Sequence, residues 1–382
     1  MTDVPLDTFE HLISDEGPIA LTLVRDLEPA EGQDAWIFPP TFATDENSND
    51  DESGSGKYCI DRWEDPPASP GQPGRKRNVC LIDSVGSQAN RIEPIFKREP
   101  YCCLVPQQIV KFKDGSEVNL LDAGHRAADA AFRFSSGLGK QLWEAFQAIK
   151  KSRDYGKLLQ LAPTSILFGS WDSRGTGAKC QRIVRSVIRA YDVVEASRSA
   201  IYNPPIDYVD RDLIDSKHDK GAGKDNRLSQ EGFKHSPATG SHGGVRVLGP
   251  LQQEASINLV ALRNVSTDVS ARQYLLGLAL VAMTYEDSSA FNLREGCLLR
   301  PVNPKMTWKE VWLDKAKDKE LPITHDDALK YAKQTIEKDR FEVKEGQQNN
   351  DFDQGTAEAW VAMPKKNRKK LAKKSHPSEA IK

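Results

Sequence analysis

Several features that would assign the chain to a familiar class are missing. Its six cysteines (Cys59, Cys80, Cys102, Cys103, Cys180 and Cys297) include no CxxC pair, and no apolar signal segment precedes MTDVPLDTFE, so a reduced cytoplasmic protein is expected. The longest apolar run, Tyr274 to Met283, is too short to cross a bilayer and reads as a buried helix; no membrane role is expected. There is no GxSxG, Walker loop or HExxH, and no internal repeat. The charge is also nearly balanced. A net of −2 and a pI near 6.4 argue against a protein that coats nucleic acid through bulk charge.

What charge there is lies in blocks. Residues 41–65 carry eight acids against two bases, and residues 361–382 carry eight bases against one acid. Such blocks usually read as solvated or disordered tails. Between Leu161 and Ala200 a third, denser segment runs LAPTSILFGSWDSRGTGAKCQRIVRSVIRAYDVVEASRSA, with six basic residues (Arg174, Lys179, Arg182, Arg185, Arg189, Arg198) and three acids. Ile166 to Phe168 reads as a strand end that opens at Gly169 into a polar, glycine-bearing loop with Trp171, Ser173, Arg174, Thr176 and Lys179. Loop amides, hydroxyls and guanidinium groups together suit a phosphodiester backbone. Three acids cannot neutralise six bases locally, so the segment points to nucleic acid.

Along the chain, 382 residues allow one elaborated domain or two. Ile19 to Leu27 reads as a strand with Leu21 and Leu23 inward and Arg25 as an open third position. Thr41 to Arg77 reads as a long insertion with a mobile stretch around DENSNDDESGSG. Val79 to Asp83 is predicted to be a buried strand feeding a helix near Ser84. At that turn Ser87, Gln88, Asn90 and Arg91 are either a phosphate or ribose site or surface residues beyond a cap by Asp83 or Ser84. Leu121 to Phe134 is predicted to be one helix, Asp122 its cap, with His125 and Arg126 in its first turn; Asp122 and Asp129 offer local partners to Arg126, and Asp129 to Arg133. Gly139 to Lys151 reads as an amphipathic helix.

Cys180 to Val194 fits either a helical period or a β-branched strand, and the strand is favoured. Residues 210–244 read as a long polar loop. Ile257 to Leu262 and Glu295 to Leu299 read as strands, the second the last of the fold. Ala271 to Met283 reads as a buried helix, and Thr307 to Lys317 and His325 to Lys338 as surface helices. Two metal readings are weak: His218, His235 and His242 lack zinc-like spacing, and Asp172 and Asp192 flank the basic segment but more often act as caps or arginine partners.

Six blocks in order, LEPAEGQDAWIFPPTF, CLIDSVGSQANRIEP, LDAGHRAADAAFRFS, the Leu161 to Tyr208 segment, GGVRVLGPLQQEASINLVALR and YLLGLALVAMTYEDSSAFNLREGCLLRP, resemble the CRISPR-associated RAMP backbone subunit of type I-G (formerly I-U) systems, a branch of the Cas-seven family. The resemblance spans roughly residues 20–305. It implies an α+β fold with an RRM-derived, ferredoxin-like core over residues 1–305. The resemblance does not extend to the segments near 43–76 and 210–244, which are expected to be insertions, the second a candidate thumb, or to residues 306–382, which from their own pattern are expected to form a helical extension with a basic, disordered tail. It favours a strand over 186–194 and a structural Asp192.

The resemblance further implies a guide-RNA (crRNA)-binding subunit that stacks head to tail along the spacer and presents the guide to target DNA. Its expected partners are crRNA, the target strand through the guide, copies of itself, the large and the fused cap/processing subunits of the Cascade complex, and a recruited helicase-nuclease. No cofactor, metal or catalytic residue is expected. The RNA-binding residues carried over are Ser87, Gln88, Asn90, Arg91, His125, Arg126, Trp171, Ser173, Arg174, Thr176, Lys179, Arg182 and Arg185. The competing reading is a RAMP-type endoribonuclease using Asp83 or Asp172.

Overall fold

In the computed structural model the described residues are 6–43, 57–67, 73–221, 226–287, 289–337, 341, 343 and 346–381. A mixed α+β architecture is built on an antiparallel sheet of nine strands. Its members, with the two strands of a projecting arm, are β1 (Ala20–Pro29), β2 (Ile60–Glu64), β3 (Lys76–Asp83), β4 (Val184–Tyr191), β5 (Val193–Tyr202), β6 (Ser236–Val247), β7 (Leu251–Asn258), β8 (Asn292–Arg294), β9 (Cys297–Pro301), β10 (Trp308–Val311) and β11 (Lys319–Leu321). The path runs β8-β9-β1-β7-β4-β3-β2, and β10 also pairs with β1 and carries β11. Every pairing along the path is antiparallel. The expected α+β class is present, whereas this order does not by itself establish a ferredoxin-like core.

Alternation explains why β1 forms and which way it faces. Leu21, Leu23, Arg25 and Leu27 are buried in turn while Val24 and Asp26 face out. Arg25 takes a core position because Glu286 forks it at 2.5 and 3.0 Å, so the inward charge is paired. Helix α1 (Val85–Ile92) follows β3 directly and is capped by Ser84, whose hydroxyl accepts from Ser87 N. Helices α2 (Leu138–Ser152), α3 (Val269–Thr284) and α4 (His325–Thr335) cover one face of the sheet's core. Helix α3 is apolar on all sides and buried along nearly its whole length, as its sequence suggested. Helix α4 is not a mere surface helix, since Tyr331, Ala328 and Ala332 pack into that core.

Several expected elements take a different form. Ile166 and Leu167 end a helix, Pro163–Leu167, opened by Pro163 and followed by Phe168 as its C-cap, rather than a strand. The single helix expected over Leu121 to Phe134 is three short turns, Leu120–Asp122, Arg126–Ala128 and Ala130–Arg133. Gly124 and a left-handed Arg126 (φ 53°) interrupt it, and Asn119 and Asp129 cap the outer pieces in place of Asp122. The strand expected at Ile257 to Leu262 ends at Asn258, whose side chain caps a following helix, Leu259–Arg263. Glu295 to Leu299 is not the last strand: β9 starts at Cys297, and β10 replaces the helix expected at Thr307. Buried Trp308 anchors β10 beside β1, so the expected boundary at 305 falls within one sheet.

The last part of the long loop expected at 210–244, from Ser236 on, is strand. Strands β5 and β6 pair from Val193↔Val247 to Tyr202↔Ser236, forming an arm that carries residues 203–235 at its tip. Asp192 makes the corner between sheet and arm with φ 51°; Arg77 holds its carboxylate at 2.8 Å and keeps it below the usual carboxylate pKa. That agrees with a structural Asp192. In the insertion near 43–76, β2 and the start of β3 form a hairpin, while the DENSNDDESGSG stretch lies outside the described residues.

The basic C-terminal stretch is folded rather than a disordered tail. Helices α5 (Gln354–Ala362) and α6 (Lys365–Leu371) follow a strand, Gln347–Asp351, that pairs in parallel with Gln107–Lys111. Trp360 and Ala372 bury against Phe134, supplying the apolar contacts that a disordered segment lacks. Polar contacts complete the docking onto α2. Trp143 Nε1 donates to the Ala372 carbonyl at 3.1 Å, Gln147 to that of Lys373 at 3.0 Å, and His376 Nε2 to that of Arg133 at 2.9 Å.

Candidate nucleic-acid interface

The glycine-bearing loop is built around Asp172. Its Oδ2 accepts from Thr176 N at 2.6 Å and from Thr176 Oγ1 at 2.8 Å, while its carbonyl takes Gly177 N at 2.8 Å. Gly175 is required because a Cβ there would lie 2.4 Å from Asp172 Oδ2. Trp171 and Lys179 pair across the two-residue ladder that closes the loop, with the Lys179 ammonium 5.9 Å from the indole centroid. Hence the amides of Thr176, Gly177 and Ala178 are used internally, and fully buried Thr176 is a strut, not a ligand contact. Recognition falls to side chains.

Those side chains converge. An open cleft of about 1030 Å³ lies between the loop, the Gly124–Arg126 turn, the end of α2 and the edges of β4 and β7. It brings together His125, Arg126, Trp171, Ser173, Lys179, Arg182 and Arg185 of the expected residues, and among the described residues none that lines it is acidic. Among the described residues Lys179, Arg182 and Arg185 have no ion-pair partner. Arg126 is different: it is buried, donates to Glu93 Oε2 at 2.6 Å, to the Gly169 carbonyl at 3.3 Å and to Asn90 Oδ1 at 3.3 Å. Burial pushes the Glu93 carboxyl up to about 7 in spite of that partner.

Arg182 is the most telling group. Gly169 (φ 77°) leaves room for it, since a Cβ there would lie 2.4 Å from Arg182 Cγ. Its Nη1 is buried without a hydrogen-bond partner among the described residues. Burial first, then the positive charges of Arg126 and Arg185, lowers its pKa from the ordinary arginine value. A guanidinium held half-buried beside two others, with an unsatisfied donor, is arranged to receive an anion.

The remaining candidates go elsewhere. Arg174 points to a second cleft on the far side of the loop. Gln88 is buried, donating to Asp83 Oδ2 at 2.7 Å and accepting from Ser186 Oγ at 2.8 Å. Gln88 and Arg91 line a separate cavity of about 270 Å³, where Arg91 is spent on Asp83 and on the carbonyl of Leu293. Ser87 lies in the first turn of α1, and its amide is taken by the Ser84 cap. The SQANR block is thus a capped, internally bonded helix start that reaches the main cleft through Asn90, which steadies Arg126.

Sequence reasoning missed Arg153, Gln181, Ser256 and Asn258, all of which line the cleft. Arg153 caps the end of α2 in the left-handed region (φ 59°), where glycine or asparagine is preferred. An arginine at that position was the available signal. Among the described residues no group of three His, Cys, Asp or Glu residues is placed to hold a metal ion, the weakly supported trio His218, His235 and His242 included. Nor is any helix there long and apolar enough to cross a membrane.

No curated protein matches the chain. Residues 21–195, a span that holds every cationic side chain of the main cleft, match the family model described as CRISPR-associated protein GSU0053 (Cas_GSU0053), and this match supports a CRISPR-associated protein.

Proposed function

We propose that the chain is a guide-RNA-binding backbone subunit of a CRISPR effector complex, of the Cas-seven type found in type I-G Cascade. It holds the guide by its sugar-phosphate backbone and leaves the base edges free to pair with target DNA. The observation that carries this reading is the acid-free cleft in which Arg182 keeps a buried, unpartnered guanidinium nitrogen between Arg126 and Arg185. Lys179 and Arg185 supply exposed charge at its rim, and exposed Trp171 offers an apolar face to a base. In this reading the arm of β5 and β6 is the thumb, the core derives from a ferredoxin-like RRM, and copies stack along the spacer. The other partners are the large and cap/processing subunits and a helicase-nuclease recruited after the target strand pairs.

The endoribonuclease reading has less support. Asp83 is fully buried, with Gln88 and Arg91 on Oδ2 and Arg294 on Oδ1, and Asp172 is buried in its own turn. Neither carboxylate faces the cleft. The proposal is tested by co-expressing the chain with a CRISPR array and sequencing the RNA that copurifies. Guide-sequence RNA in a large assembly, lost in a Lys179→Glu, Arg185→Glu variant of unchanged circular dichroism, is the expected result. A clean monomer without RNA in both conditions overturns it.

A further inference from the structure

The second cleft, of about 800 Å³, lies between Ser173–Gly175 of the loop, the Ala130–Phe134 turn and the C-terminal helices α5 and α6. Its cations are Arg133, Arg174, Lys365, Arg368, Lys369 and Lys373, and again no acid among the described residues lines it. None of the six has an ion-pair partner among the described residues. Arg133 Nε and Arg368 Nε are buried there without hydrogen-bond partners among the described residues, while the Arg133 guanidinium lies 4.8 Å from the centre of the Phe134 ring. Six like charges repel one another, and the docking of Trp360, Trp143, Gln147 and His376, with the Lys140–Glu379 ion pair, holds them together. A purely solvated basic face would leave arginine nitrogens in water, not buried and unsatisfied.

Ser173 lines both clefts, so the loop is a low ridge between two acid-free basic troughs. We infer that a single strand of RNA lying in the first cleft crosses the Ser173–Gly175 ridge and continues into the second, where the folded C-terminal extension holds its phosphates. The inference rests on the function proposed above and extends its footprint to a part of the chain outside the matched residues 21–195. Apolar Val361 and Phe134 along the second trough suit a nucleotide strand, with its flat bases, better than an acidic peptide.

The lysines of α6 and of the turn just after it give a matched control. Lys365, Lys369 and Lys373 recur every four residues and line the cleft, whereas Lys366, Lys370 and Lys374 recur on the neighbouring face and do not. All six are exposed, so substitution to glutamine leaves the packing intact. The experiment measures binding of the full chain to single-stranded RNA of about 5 and about 12 nucleotides, within the roughly 4–16 nucleotides that a single-strand-binding OB fold covers. The wild type is expected to bind the longer RNA more tightly. The Lys365→Gln, Lys369→Gln, Lys373→Gln variant should keep its affinity for the short RNA and lose about ten-fold or more for the long one. The Lys366→Gln, Lys370→Gln, Lys374→Gln variant should change far less. Equal losses in the two variants, or none in the first, overturn the inference, as does a loss of self-association with RNA affinity unchanged, which would assign the cleft to another protein segment. If neither RNA binds the wild type, it is the proposed function that fails.

Discussion

At the residue scale the pair Arg126 and Glu93 bears most weight, because each is nearly fully buried and each answers the other. Removing one partner of such a pair strands the other charge, whereas replacing both by apolar groups does not. Arg126→Met is therefore expected to lower stability by about 3–5 kcal/mol. Adding Glu93→Met should restore much of the loss, as thermal unfolding of the single and double variants will check. The sequence offered Asp122 and Asp129 as the partners of Arg126; neither serves, since Lys97 takes Asp122 and Asp129 caps a helix. Glu93 lies thirty-three positions away, and no local spacing rule reaches that far. For the same reason Arg174 and Arg182, eight residues apart in one basic run, end in different clefts. Charge content was legible, and direction was not.

At the scale of elements, periodic stretches were readable and interrupted ones were not. Alternation at β1 and the unbroken apolar run of α3 identify themselves, since burial on one face or on all faces leaves a pattern in the chain. The turns from Leu120 to Arg133 do not, because the left-handed backbone of Arg126 serves contacts with Glu93, Asn90 and Gly169 made only in the folded state. The C-terminal helices were concealed by their charge: few apolar residues, Trp360 foremost, outweigh eight bases.

His376 makes that docking sensitive to acid. Burial lowers its pKa below the ordinary 6.5, and its neutral ring accepts at Nδ1 from Ser378 while donating at Nε2 to Arg133. Below pH about 6.5 the unfolded chain takes up a proton at this ring that the folded chain resists, so the stability it contributes at neutral pH is lost as the pH falls. Its charged neighbours on the packed elements are Arg133, Lys140 and Glu379. Protection factors for amide exchange over residues 354–381, which normalise for the intrinsic rate, should fall between pH 7 and pH 5.5 more than those in α3. A His376→Gln variant should lose most of that pH dependence.

On the scale of the whole molecule, a pI near 6.4 coexists with two basic clefts, so binding is governed by where the charge sits and not by its sum. The salt dependence of RNA affinity reads this directly. If all five cations of the first cleft (Arg126, Arg153, Lys179, Arg182 and Arg185) met phosphates, the log–log slope would approach about −3.5 at 0.7 per contact on a single strand. Removing Lys179 and Arg185 should flatten it by about 1.4, and a slope unaltered by that change would mean that neither side chain meets a phosphate.

The arm adds a consequence of another kind. Tyr202 and Ser236 are cross-strand partners, so the thirty-odd residues between them leave and return at one point of the ribbon. The tip has its own small interior, with Leu228 buried, Tyr208 edge-on to Phe233 at 5.1 Å, and Lys234 paired with Asp219. A unit entered and left through adjacent doors can be lengthened, trimmed or exchanged without re-threading the sheet behind it. Variation among related chains therefore has a natural place to accumulate, and an engineer has a cassette.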